Sequence, residues 1–349
     1  MSKGRFGGNE RLAIEFYRRG MKLSFRNIYK CLKDDGLLIV LFAHSSTEAW
    51  NLLLDVLRDS KFRVISSYSV HTESTENPLA RGKTSFMSSI VLACRKILED
   101  RKAYFEQLMP KVEESVRNLI DSLDVEELLG LPITDLLIMV YGKILEELTQ
   151  YNKIKSYKAD FKPSFEGLIG EARNHLFRHI VKKLTGRSPN LLGPDTSFAL
   201  TASIFYRKLV PSDDALKLAK AFGISLDSLA KKYVSKMKGG VKVKSFKEVD
   251  IRMRPEEVDR NDLYLQLLYL MRVAHQEGAA RVKQILMNYG NFRASDLKYL
   301  VDLLIRHYRL LANRGEKLTE DEKAELNVLE SIADILSRPI RSGTLDSYL

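Results

Sequence analysis

The sequence predicts an α/β amino-terminal part followed by a mostly α-helical region, and three observations carry that prediction. Residues 37–43 (LLIVLFA) form an unbroken apolar run, the length of a strand buried on both faces of a sheet. The run lies between two stretches whose apolar residues recur at helical spacing. Beyond about Ile97 strand signals nearly vanish and helical periodicity takes over.

Taken in order, residues 9–32 predict an amphipathic helix, because Ile14, Tyr17, Met21, Phe25 and Ile28 are three or four apart and share one face. Lys33-Asp34-Asp35-Gly36 is a turn leading into the apolar strand. Ser46 or Thr47 then caps a second helix with Trp50, Leu53, Leu54 and Leu57 on one side. Residues 62–70 and 87–94 read as two further strands separated by a polar loop. Helices are predicted over 98–123, 133–151, 164–184, 196–208, 212–222, 226–237, 261–289, 294–313 and 319–338. Pro163, Ser188-Pro189 and Gly193-Pro194 punctuate linkers at 152–163 and 186–195. The expected domains are 1–97, 98–195 and 196–349.

The 349 residues are 45% hydrophobic and 29% charged, a composition that buries a core rather than staying disordered. The two cysteines, Cys31 and Cys94, have no Cys or His partner at zinc-site spacing, so a reducing, cytoplasmic setting is expected. No run approaches the ~18 apolar residues of a membrane span, and no membrane partner is expected. A net charge of +11 favours a polyanionic partner, because each phosphate neutralised by Lys or Arg releases condensed counterions.

Within residues 32–96, Phe42-Ala43-His44, Glu48-Ala49-Trp50, His71-Thr72-Glu73, Arg81-Gly82, Ser88-Ser89-Ile90 and Cys94-Arg95-Lys96 resemble a segment of the large archaeal and bacterial adenine-specific DNA methyltransferases. Asp135 through Tyr151 and Pro211 through Gly223 are similar to the helical carboxy-terminal part of the same family. The resemblance implies that residues 1–97 are the carboxy-terminal half of a Rossmann-like methyltransferase sheet, its last strand inserted antiparallel. It also implies a deficit. The family's glycine-containing loop for S-adenosylmethionine and its Asp-Pro-Pro-Tyr type tetrapeptide, which grips a flipped adenine, have no counterpart here. No catalytic residue is therefore expected in this chain, and S-adenosylmethionine is expected only if a partner chain supplies the amino-terminal half. The implied protein is a split, truncated or fragmentary methyltransferase acting on DNA, inactive alone. The alternative is a non-catalytic DNA-binding or scaffold protein derived from a methyltransferase remnant.

Several residues are candidates for that work. His44 and Ser45 lie just past the apolar strand, at the edge where open α/β sheets bind ligands, and with His71, Thr72 and Glu73 they are candidates for a target-base pocket. The bland alternative is that Ser46 caps the next helix and His44 bonds a neighbouring loop. The 71–85 loop is longer than a hairpin requires, and Arg81, Lys83, Thr84 and Ser85 suit DNA phosphates, unless the loop is merely solvated. Residues 211–254 suit a helix-turn-helix followed by a β-wing, with Lys231, Lys232, Lys236, Lys238, Lys242, Lys244 and Lys247 as its electrostatic face. An ordinary helical hairpin with a basic surface is the alternative. His175 and His179 share a helix face but lack a third ligand, and no metal is expected there.

Overall fold

The computed structural model describes residues 6–44, 47–71, 88–157, 165–249 and 252–337. Along the chain run α1 (Glu10–Cys31), β1 (Leu38–Phe42), α2 (Thr47–Asp59), β2 (Phe62–His71), β3 (Ser88–Lys96), β4 (Lys102–Tyr104), α3 (Phe105–Ser122), α4 (Val125–Gly130), α5 (Ile133–Leu148), β5 (Lys153–Lys155) and α6 (Phe165–Thr185). There follow α7 (Pro189–Leu192), α8 (Pro194–Tyr206), β6 (Leu209–Pro211), α9 (Ser212–Phe222), α10 (Leu226–Ala230), β7 (Val234–Met237), β8 (Gly240–Val243), α11 (Leu263–Glu277), α12 (Ala279–Asn288), α13 (Ala294–Asn313) and α14 (Glu320–Ser337). The layout is α/β first and mostly helical afterwards, with small sheets. No described helix is long and apolar enough to cross a membrane.

The chain forms two compact units, residues 1–119 with 132–175, and 120–131 with 176–349. In the first, the strand order is β1-β3-β2, and β3 is antiparallel to both neighbours, so β1 and β2 run parallel with α2 between them in sequence. Register aligns Phe42 with Ile90 and His71 with Ser88, and Ile65 bulges from β2. Because side chains alternate between faces, Val40, Phe42, Ile90, Leu92 and Cys94 share one face. That face is covered: Trp50 meets Phe42 edge-on at 4.9 Å and Tyr141 of α5 at 5.0 Å, while Phe25 and Tyr29 of α1 meet Phe62 at 6.1 and 5.5 Å. The helix face expected from Trp50, Leu53, Leu54 and Leu57 is buried throughout.

The opposite sheet face differs from the expectation. β1 is an edge strand, and Ile39 (48% exposed) and Leu41 (66%) lie open with Tyr68 and Val70 of β2. The apolar run is thus buried on one side only, because no second layer covers the other face among the described residues. The first unit also extends past residue 97. Parallel pairing of Lys102–Tyr104 with Lys153–Lys155, and a 2.7 Å bond from Ser115 to Glu147, tie the following helices to it. Thr149 and Gln150, at the end of α5, satisfy the outer backbone edge of β2 at Val64 with bonds of 2.7 and 2.8 Å.

The second unit carries α8, β6, α9, α10, β7 and β8, with sheet order β6-β8-β7, all antiparallel. The helix predicted over 226–237 stops after five residues, because Tyr233 turns into the core and Val234 pairs with Val243. The predicted 261–289 helix breaks into two at Gly278, whose φ of 87° favours glycine. The two linker regions hold short elements, β5 and α7. In the second unit α11, α13 and α14 pack on one another, with Leu267, Leu300, Leu304, Leu329 and Ile332 buried.

Candidate nucleic-acid interface

Two places in the fold receive the residues singled out above. The first is the edge formed by the carboxyl ends of the parallel strands β1 and β2. His44 follows β1 directly, and its ring lies roughly parallel to that of Phe42, at 6.5 Å. Its carbonyl accepts a 2.8 Å bond from the Trp50 indole, so the first turn of α2 pins the strand-to-helix junction. His71 ends β2 at the same edge, opposite Ser88. Ser45, Thr72, Glu73, Arg81, Lys83, Thr84 and Ser85 fall outside the described residues.

Behind this edge lies a feature that residue spacing could not reveal. Arg173 of α6 is buried and donates a 2.6 Å bond to the Tyr141 phenol, whose ring in turn packs on Trp50. A chain of Phe42, Trp50, Tyr141 and Arg173 therefore backs the junction with aromatic surface and one cation. Tyr141 is buried. Its partner is 32 residues away, with no local motif to announce it.

The second place is the β6-β8-β7 sheet with α9 and α10. Of its lysines, Lys232 turns inward, its ammonium 2.6 Å from Asp195 and 2.8 Å from Asp262. Burial by itself would lower the Lys232 pKa, but the hydrogen bonds to Asp195 and Asp262 outweigh it and hold the amine well above the ordinary lysine range. Lys232 is thus a structural cation rather than part of an outward electrostatic face. The reason is that α10 ends at Ala230, and the turn after it carries residues 232–234 toward the core. Lys236 pairs with Asp227 at 2.6 Å, Lys242 with Glu248 at 2.6 Å and Lys247 with Asp321 at 3.6 Å. Lys231 and Lys238 are exposed and Lys244 half-buried, with no ion pair to a described carboxylate. The outward positive charge is therefore sparser than the sequence suggests.

Elsewhere in the second unit an open cleft of about 490 Å³ is lined by Glu126, Asp302, Arg306, Arg309 and Glu330 among others. Its guanidiniums are already engaged, Arg306 with Glu126 at 2.6 Å and Arg309 with Glu330 at 2.7 Å. His175 lies 2.8 Å from Glu113, and no group of three His, Cys, Asp or Glu suited to a metal occurs among the described residues.

No family model, curated protein or solved structure matches this chain.

Proposed function

We propose that the chain is the carboxy-terminal portion of an S-adenosylmethionine-dependent, adenine-specific DNA methyltransferase. It contributes DNA-binding surface and one wall of the target-base pocket to an enzyme whose amino-terminal half holds the cofactor. The observation that carries this reading is the strand order. A strand inserted antiparallel between two parallel strands that a helix connects is the arrangement the sequence resemblance calls for at the end of a methyltransferase sheet.

Two further features support it. The uncovered sheet face presents Ile39, Leu41, Tyr68 and Val70, and the outer side of α1 presents Leu12, Phe16 and Leu23, all exposed. Contiguous exposed apolar surface marks an interaction site, and β1 offers an unpaired edge for strand addition. In this reading both are surfaces on which the missing half of a Rossmann-like sheet completes the fold. The order α8, β6, α9, α10, β7, β8 with a β6-β8-β7 sheet is also that of a winged helix, a DNA-binding arrangement. His44 and His71 sit at the ligand edge of the completed sheet.

The test is transfer of a tritiated methyl group from S-adenosylmethionine to adenine in duplex DNA. It is run with the purified chain alone and with a partner chain bearing the cofactor loop and the Asp-Pro-Pro-Tyr type tetrapeptide. Incorporation only in the mixture is expected. None in either, with salt-sensitive DNA binding retained, would replace this reading by a non-catalytic DNA-binding protein.

A further inference from the structure

The two-stranded sheet of β4 and β5 carries a surface that no motif in the sequence announced. Its register pairs Lys102 with Lys153 and Tyr104 with Lys155. Alternation places these four side chains on one face, and all four are exposed while Ala103 and Ile154 point the other way. Tyr157, two residues beyond Lys155, lays its ring on that of Tyr104, with centroids 4.3 Å apart and 13° between planes. Tyr157 is 60% exposed, so one π-face of the stack is open to solvent.

These rings are held in place before any ligand arrives. Gln107 donates a 2.8 Å bond to the Tyr157 phenol, and the backbone N–H of Tyr157 donates to both oxygens of Glu106 at 3.3 and 3.2 Å. Beside them the Lys111 ammonium lies 5.8 Å from the Tyr151 ring. Asp100 engages Lys153 at 3.1 Å and Lys61 at 3.2 Å, sharing one carboxylate between two ammoniums. Lys102 and Lys155 have no ion pair to a described carboxylate.

We propose that this face binds a single strand of nucleic acid. One base continues the Tyr104–Tyr157 stack, and the flanking phosphates lie against Lys102 and Lys155. The chemistry selects that occupant in two ways. Cations bracketing a pre-set aromatic pair complement a polyanion that also offers flat π-surface, which an acidic peptide lacks. A duplex keeps its base faces stacked internally, so only an unstacked strand can use the open ring.

The experiment is fluorescence anisotropy of the full chain with labelled oligothymidylate and, separately, with a mixed-sequence DNA duplex. Tyr157→Ala is expected to weaken oligothymidylate binding by about 10-fold, the size of one lost base stack, while Tyr157→Phe keeps it. Lys102→Ala with Lys155→Ala should flatten the logarithmic salt dependence by roughly 1.4, for two phosphates at ~0.7 each, with duplex affinity little changed. Equal affinity of Tyr157→Ala and the parent, a Tyr157→Phe loss as large as that of Tyr157→Ala, or equal losses on duplex and single strand would each overturn the proposal.

Discussion

His307 of α13 offers the sharpest test of the electrostatics. Its side chain is 1% exposed, and neither ring nitrogen has a hydrogen-bond partner. Burial pushes its pKa down to about 4 from the ordinary 6.5. Glu322 opposes that shift and Arg207 reinforces it. The imidazole is therefore neutral in the folded protein at pH 7. Between pH 6.5 and about 4 the unfolded chain binds a proton that the folded chain refuses, so stability falls as pH falls through that window and is intact above it. A displacement from 6.5 to about 4, at ~1.4 kcal/mol per pH unit, amounts to about 3 kcal/mol. That is a large share of the ~5–15 kcal/mol that holds a typical domain together. The assay is urea unfolding followed by far-UV circular dichroism at several pH values, for the parent and for His307→Phe, which cannot titrate. The parent should lose about 3 kcal/mol more than the variant between pH 7.5 and 4. Parallel pH profiles for the two proteins would refute the argument, because the acid sensitivity would then belong to other groups.

Two further substitutions examine separate parts of the fold. Lys232→Met leaves Asp262, whose side chain is 2% exposed, and Asp195 without their cation. It should destabilise the second unit by about 3–5 kcal/mol in the same unfolding assay; a loss under about 1 kcal/mol would mean the ammonium is not needed to hold the two carboxylates. Gly142→Ala would place a Cβ 2.5 Å from Ser67 Oγ and 2.6 Å from Ile90 Cδ1, so that Ser67, Ile90 or α5 itself must shift. A loss of about 1–3 kcal/mol is expected, with a red shift and easier quenching of the emission of Trp50, the one tryptophan. Unchanged emission and stability would show that the helix does not depend on this close approach.

Local chemistry alone determined much of this protein. The apolar face of α2, the strands at 38–42, 62–71 and 88–96, and the spans of α9 and α13 follow from periods of 3.6 and 2 and from caps and turns, which are properties of neighbours in sequence. The face given for α1 does not, since Tyr17 and Ile28 are exposed and Ala13 and Phe25 are buried, and α3 begins at Phe105, after residues 102–104 pair as a strand. Tertiary structure decided the rest. Whether residues 37–43 lie buried on two faces or one depends on what covers the sheet, and nothing inside the run encodes its cover. Lys232 and Lys231 are adjacent and chemically identical, yet one is locked between Asp195 and Asp262 and the other faces solvent. The carboxylates that separate them lie about 30 and 37 residues away in sequence. Likewise Tyr104 and Tyr157 become one stack, and Arg173 meets Tyr141, only when distant segments pair. Pairings of that kind are set by packing and desolvation of the folded chain, which sequence spacing cannot report.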